Sequence, residues 1–454
     1  MAEFKLTREF VDSIKHKIEI KDEVRVLEDI KDLHPADIAD LYRELELEEA
    51  KYLYLIADDE TAADVITELD EDERRRLLSS VPSEVIAKRY IDKMDSDDAA
   101  DVLGEMEEGR QQEVLSHMDD VKSAGDIADL LNYDEDTAGG LMGKELIKVK
   151  ESWNLPTCLR SMRQQGEVVD EVYYVYVVNN DGVLKGTLSL KRLLLSPTTQ
   201  TVKDIYNDNL ISVNANASAE EVSSIMDKYD LVALPVVDSI GRLLGRITID
   251  DVVDVIREEA EKDYQLASGI TDDVESSDSI WTHTRARMPW LIIGLFGGIL
   301  SSLVIEHYEV IIGLNPQLSF FMVVIAAMGG NTGMQSSAII VQSLASGSTG
   351  LESTSRKLLK ELAVAMVNAG VLSTVIFVFN YFKGASQALT YTVSLAMFSV
   401  IMIASLFGTF IPLALKNLKI DPAVATGPFV TTLNDILGML IYFSIGVVCF
   451  SMFV

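Results

Sequence analysis

Residues 423–452 read AVATGPFVTTLNDILGMLIYFSIGVVCFSM, an apolar run with a single carboxylate, Asp435, inside it. A helix needs roughly 20 predominantly apolar residues to cross a bilayer. Upstream the same test selects about 290–311, 318–345, 356–382 and 387–415, so five spans are predicted after Pro289. Two of them contain helix breakers, Gly329-Gly330-Asn331-Thr332-Gly333 in the second and Gly427-Pro428 early in the fifth. Counted from Ala423, Asp435 lies 12 residues in. That is about 18 Å along a helix, close to mid-membrane. A carboxylate at that depth costs roughly 2.5–3.5 kcal/mol on insertion scales and needs a polar cavity or a partner. Every Lys and Arg of this region sits near a span end, which leaves a cation as the natural counter-charge. The alternative is a protonated or hydrogen-bonded structural Asp beside Asn434 and Thr432. A broken span 2 survives only where protein or water satisfies the freed backbone groups. Asn331 points to a pathway lining there; close helix contact through small residues is the competing reading.

Charge divides the chain at the same place. The 454 residues hold 39 Lys and Arg against 71 Asp and Glu, a net −32, yet 48% are hydrophobic. From Arg285 onward there are 8 basic and 6 acidic residues; the first 284 hold 31 and 65, a net −34. Such a surface repels phosphate backbones and excludes nucleic acid as a partner. Cys158 and Cys449 make no disulfide framework, and the N-terminus has no signal-type apolar core. The acidic portion is therefore expected in the cytosol. Arg285, Arg287, Arg356, Lys357, Lys360, Lys416 and Lys419 fall on one side of the spans and only Lys383 on the other. This predicts a cytosolic N-terminus and Val454 outside, in a multi-pass protein of the cell (inner) membrane. No nucleophile–base set, phosphate-cradling loop or zinc-ligand cluster is visible, so an enzyme is not expected.

Two kinds of repeat fill the cytosolic portion. In residues 1–135 an Ala-Asp signature recurs, at Ala39-Asp40, Ala63-Asp64, Ala100-Asp101 and Ala128-Asp129. It predicts an all-α superhelical stack in which Ala allows close packing and Asp caps or faces solvent. Residues 136–200 and 201–250 are a second pair. Val177-Val178-Asn179-Asn180-Asp181-Gly182 parallels Val236-Val237-Asp238-Ser239-Ile240-Gly241, each read as strand, turn, strand and helix. This α/β pattern resembles a tandem CBS domain pair, a module that often binds adenine nucleotides. The resemblance makes Thr248 and Asp251 the ribose-holding pair, whereas Ser189 is followed by Arg192 where Asp is expected. One ATP-type site is thus implied at most, the alternative being a purely structural pair.

Residues 251–284 connect this portion to the spans of 285–454. As a helix, Asp251, Asp254, Glu258 and Glu261 share one stripe and repel one another by a few tenths of a kcal/mol per pair. A solvated linker helix is one reading. Carboxylates awaiting hard divalent cations is the other.

The order of parts resembles the MgtE family of magnesium channels over essentially the whole chain. Its most specific pieces are Arg287-Met288-Pro289-Trp290-Leu291, Gly329 to Gln335, and Asp421-Pro422-Ala423 through Gly427-Pro428 to Thr432, Asp435 and Gly438. The resemblance implies a homodimer with its pore between protomers, Asp435, Asn331 and Gly438 at the ion-selective region, and Mg2+ carried into the cytosol. It implies regulatory Mg2+ positions at Asp97, Asp101, Glu220, Asp230, Asp251, Asp254, Glu259, Asp263 and Asp421, with the connecting helix closing the pore as a plug. Two departures stand out. Some members carry Asn where Gly427 stands, and Lys262 occupies a position that can be acidic. A channel for another divalent ion such as Mn2+ or Co2+, or a membrane-anchored sensor without transport, are the alternatives.

Overall fold

A computed structural model describes residues 4–453 apart from 80, 167–168, 170, 272–273, 275–277, 346–353 and 426. Part of the expected 251–284 connection thus lies outside the described residues. The chain divides into two compact units, Met1–Ile256 and Arg257–Val454.

The first unit opens with short helices: α1 (Arg8–Glu19), α2 (Glu23–Ile30), α3 (Pro35–Arg43), α4 (Leu47–Ile56), α5 (Asp59–Thr67), α6 (Glu71–Leu78), α7 (Ser83–Arg89), α8 (Ser96–Gly104), α9 (Glu108–His117) and α10 (Val121–Leu130). Helices this short depend on caps and on one buried stripe. Asp22, Asp58 and Asp120 cap α2, α5 and α10, while Glu46 with Glu49 and Asp70 with Glu73 form capping boxes. Part of the acidity is therefore structural. The repeated Ala-Asp pairs fall on α3, α5, α8 and α10, with Ala39, Ala63 and Ala100 buried and each Asp turned outward.

Two copies of one α/β unit follow. The first contains β1 (Ile147–Lys150), α11 (Leu155–Gln165), β2 (Val175–Val178), β3 (Leu184–Leu188) and α12 (Leu190–Leu195), with α13 (Val202–Ile205) after it. The second contains β4 (Val213–Asn214), α14 (Ala219–Tyr229), β5 (Ala233–Val237), β6 (Leu243–Thr248) and α15 (Ile249–Ala267). Each sheet has its first strand parallel and its third antiparallel to the middle one, with a register shift at Val177/Val178 and at Val236/Val237. The turns pair crosswise, Leu184 N–H to Gly241 O at 2.9 Å and Leu243 N–H to Gly182 O at 3.1 Å. The leading segments also cross: Gly143 bridges to Arg246 of the second copy, and Asn207 to Thr187 of the first. Ala138 and Met142 accordingly belong to a core shared by the helical repeat and the second copy, whereas Val202 and Ile205 complete the first copy's own core.

In the second unit, α16 (Ile280–His307), α17 (Glu309–Leu314), α18 (Ser319–Ala345), α19 (Thr354–Lys383), α20 (Gln387–Asn417) and α21 (Pro428–Phe453) follow the end of α15. Among the described residues, five of them are long and apolar enough to cross a membrane. Two expectations are corrected. The second span is unbroken, because its glycines serve close packing instead: a Cβ at Gly329 would lie 2.9 Å from Val400 Cγ1 of α20, and one at Gly333 would overlap the Asn434 amide of α21. The fifth span begins at Pro428, after a 3-10 turn over Pro422–Ala425, rather than near 423. Asp435 then lies seven residues into α21. That is about 10 Å from its start, well short of mid-helix.

The crossing of the two copies generates a test. A Cβ at Gly245 would stand 2.7 Å from Gly143 O and 2.8 Å from Met142 Sδ. Gly245→Ala is expected to destabilise the first unit by about 1–3 kcal/mol, seen as a lower thermal midpoint. An unchanged midpoint would mean that the crossed segments give way freely.

Candidate functional site

The acidic residues converge at the start of α8. Asp95 precedes the helix, Asp97 and Asp98 lie in its first turn, and Asp101 follows one turn later. The segment before β1 crosses this end of the helix. Ser96 donates from N and Oγ to Glu145, at 3.2 and 2.9 Å, and accepts from Lys144 N at 2.8 Å. Gly143 allows the approach, since a Cβ there would meet Asp97 Oδ2 at 2.7 Å. Carboxylate oxygens of Asp95, Asp97 and Glu145 thereby lie within 4.8 Å of one another. From the second copy Asp251, in the first turn of α15, adds its charge to Asp97, Asp98 and Asp101.

The electrostatics are unfavourable without a cation. Burial, then the charge of Asp251, holds the Asp97 carboxyl well above the usual carboxylate range. Desolvation followed by Asp251 pushes Asp98 up to about 7, and desolvation followed by Glu135 pushes Asp101 to about 7. Asp251 is raised by burial and partly restored by Thr248, whose N–H and hydroxyl both donate to its Oδ2, at 3.0 and 2.7 Å. Among the described residues no Lys or Arg nitrogen lies within 4 Å of Asp97, Asp98, Asp101 or Asp251. The nearby Arg74 is engaged with Glu105 at 2.6 Å. An all-oxygen, all-carboxylate set of this kind suits a hard divalent cation that retains some of its water.

The other expected positions are distributed differently. Thr248 and Asp251, expected to hold a ribose, bond each other at the head of α15 in the manner of a capping box. Glu220 and Asp230 sit exposed at opposite ends of α14, outside the cluster, with Asp230 in left-handed conformation at φ 50. Asp254 faces outward on α15, and Glu259 and Asp263 are half-buried on its later turns. Asp421 is exposed and accepts from Ala423 N at 2.8 Å, which shapes the turn before α21. Asp95, Asp98 and Glu145 join the cluster without having been expected in it. Asp95 and Asp98 read as ordinary helix-start acids, and Glu145 is 47 residues from Asp98, so only the fold reveals their meeting.

In the membrane unit Asp435 is half-buried beside α18, its Oδ1 3.5 Å from where a Gly330 Cβ would lie. Thr431, one turn earlier on the same face, flanks the same glycine. Gly438 is buried against Val400, and Asn331 is exposed on this chain. The end of α15 packs on the corner that starts α21. Gly427 has φ 75, and a Cβ there would overlap the carbonyl of Ala267. A Cβ at Gly269 would stand 2.8 Å from Pro428 Cγ, and Thr271 donates from N and Oγ1 to Ala286 O at 3.0 and 2.9 Å. Gly427 thus meets the connecting helix through backbone, which is why no side chain is accommodated there.

Comparison with known proteins accords with this arrangement. Residues 322–445 match the MgtE family, described as a divalent cation transporter, residues 33–136 the MgtE intracellular N domain, and residues 138–196 and 202–258 CBS domains. The chain is 34% identical over 418 residues to the magnesium transporter MgtE of Bacillus subtilis, covering 92% of each. It is 31% identical over 439 residues to that of Thermus thermophilus, covering 95% of this chain and 97% of the relative. The crystal structure of the cytosolic domain of the Mg2+ channel MgtE in complex with ATP matches 54% of this chain and 99% of its own, with 31% identity and a TM-score of 0.50.

The carboxylate cluster has a pH signature of definite sign. The ordinary value for Asp98 and Asp101 is 3.8 and the folded value about 7, so folding favours their protonated forms. Their contribution is complete below the unfolded value and is lost as pH rises through the folded one. Without metal, the thermal midpoint is expected to fall from about pH 5 to about pH 7.5, and Asp98→Asn to flatten the slope. A midpoint that is level across this window in the parent protein would contradict the clustering.

Proposed function

The chain belongs to the MgtE family, and on that premise we propose that it is a Mg2+ channel of the cell membrane, a homodimer that admits Mg2+ to the cytosol and closes when cytosolic Mg2+ is high. The observation that carries transport is Asp435, a carboxylate within a membrane span, against the bare face of Gly330 and with no basic side chain paired to it among the described residues. Mg2+ dehydrates reluctantly and is usually held by one or two carboxylates with several waters retained. Two copies of Asp435 facing each other across a dimer, with Asn331 and Gly438 nearby, meet that requirement. The bias of basic residues toward one side of the spans supports an N-terminus in the cytosol.

Closure rests on α15, which carries Asp251 in its first turn and Ala267 at its end. When Mg2+ bridges Asp97, Asp251 and their neighbours, the helix start is held; when Mg2+ leaves, mutual repulsion releases it. A ligand shifts such an equilibrium by its differential affinity for the two states. The end of α15 on the Gly427–Pro428 corner, seven residues before Asp435, is where closure acts on the pore. Asp254, Glu259, Asp263 and Asp421 supply further carboxylates along this route, and Glu220 and Asp230 on α14 lie outside the cluster as a separate pair of regulatory positions. An adenine nucleotide at the second CBS copy is a second reading, favoured by the similarity to the ATP-bound cytosolic domain. Its ribose would have to share Asp251 with the cation cluster.

Reconstituted Asp435→Asn protein is expected to lose Mg2+ flux by at least about tenfold in liposomes, whereas parent-like flux would defeat the pore assignment. Mn2+ and Co2+ fluxes measured alongside rank the permeating ions. Gly427→Ala forces a methyl onto the Ala267 carbonyl and is expected to raise the Mg2+ concentration for half-closure by about threefold or more. An unchanged closing curve would remove this corner from the gate.

A further inference from the structure

The membrane unit holds a second half-buried carboxylate, away from Asp435. Glu361 is the sole acidic residue of α19, and it is half-buried. Its Oε1 accepts from Ser336 Oγ of α18 at 2.6 Å and from Ser405 Oγ of α20 at 2.5 Å, and the two hydroxyls are 3.0 Å apart. Ser336 is 4% and Ser405 1% exposed. Among the described residues no Lys or Arg nitrogen lies within 4 Å of the carboxylate. An apolar side chain of similar size would join the three helices without the desolvation cost, so the carboxylate has a use beyond filling space.

That use follows from what α18 carries along two successive turns. Gly330 abuts Asp435, Gly333 abuts the Asn434 amide, and Ser336 bonds Glu361, each three residues after the last. At Gly333 the crossing with α20 has no slack, because a Cβ at Gly408 would overlap the Gly333 carbonyl and stand 3.0 Å from Ser336 Cβ. Gly408 is three residues beyond Ser405. Asn434 is 2% exposed with neither amide atom partnered among the described residues, so this packing is held against a polar penalty. We propose that Glu361, with Ser336 and Ser405, is a latch across three spans that fixes α18 against α20 and so positions the Gly330 face against Asp435. Glu361 is a positioning residue, acting through α18. The proposal rests on the reading of Asp435 as the ion contact.

Mg2+ uptake by full-length protein in liposomes, analysed as apparent KM and maximal flux, tests it. Glu361→Ala is expected to raise the KM for Mg2+ about ten- to hundredfold, the usual effect of removing a support of a metal ligand. Glu361→Gln keeps an acceptor oxygen for both hydroxyls and is expected to stay within about threefold of the parent. The double variant Ser336→Ala/Ser405→Ala leaves the carboxylate but undoes the latch, and is expected to match Glu361→Ala; it also serves if the latter fails to fold. A lower maximal flux with unchanged KM in either would overturn the proposal, since a general folding defect does the same. It is equally overturned if Glu361→Gln is as impaired as Glu361→Ala while the double variant is normal, for Glu361 would then touch the ion itself. Asp435→Asn in the same vesicles separates the two readings. If it transports normally the pore assignment fails, and if it is inactive while Glu361→Ala is normal only the latch fails.

Discussion

Asp97, Asp98, Asp101 and Asp251 meet where two helix starts converge, and no basic side chain is within ion-pair distance of any of them among the described residues. Four like charges at one seam, Asp97 and Asp251 half-buried and Asp98 and Asp101 at its exposed edge, oppose the packing of the helical repeat on the second CBS copy. The shared hydrophobic core, from Val11 to Val252, favours it. The balance between these two terms depends on what occupies the seam. Protons relieve it at low pH; in the mechanism we propose, a divalent cation relieves it at neutral pH and bridges the two surfaces. The crossing segment contributes Glu145 and removes the Cβ at Gly143 that would keep Asp97 away. Its own residues leave the seam uncompensated, and we propose that this is what makes it responsive to divalent cations.

The membrane unit follows a related logic with small residues in place of charges. Gly329, Gly330 and Gly333 bring α18 against α20 and α21, burying Asn434 and leaving Asp435 half-buried beside Gly330. Association in a bilayer draws on close contact of this sort, because lipid tails are as apolar as the helices. The end of α15 meets the Gly427–Pro428 corner by the same device, backbone against backbone. A corner built on backbone contact needs a glycine, which accounts for the absence of a side chain at 427.

Much of this is legible in the residues. Span number follows from apolar length, the paired CBS copies from matched Gly-containing turns, and the repeat's inward Ala and outward Asp from their recurrence. Where the residues mislead, the reasons are identifiable. Gly329 to Gly333 reads as a break because glycine disfavours helices in water, yet in a bilayer the backbone bonds have no substitute and the glycines admit neighbours instead. Asp435 reads as farther from the start of its span than it is because Pro422–Ala425 has span-like composition but forms a 3-10 turn. Thr248 and Asp251 match a nucleotide pattern and a helix cap equally well, and composition alone does not separate them. Glu145 and Glu361 carry no local signal: each acquires its meaning from partners 49 and 25 residues away, Ser96 and Ser336.

The central claim is that divalent cations hold the helical repeat against α15 through these carboxylates. Spin labels at the exposed positions Gln112 of α9 and Val253 of α15, with distances read by pulsed electron resonance, test it directly. The account requires one narrow distance distribution with millimolar Mg2+, a broader and longer one with chelator, and no Mg2+ response once Asp97 and Asp251 are replaced by alanine. Identical distributions with and without Mg2+ in the otherwise unaltered chain would contradict it.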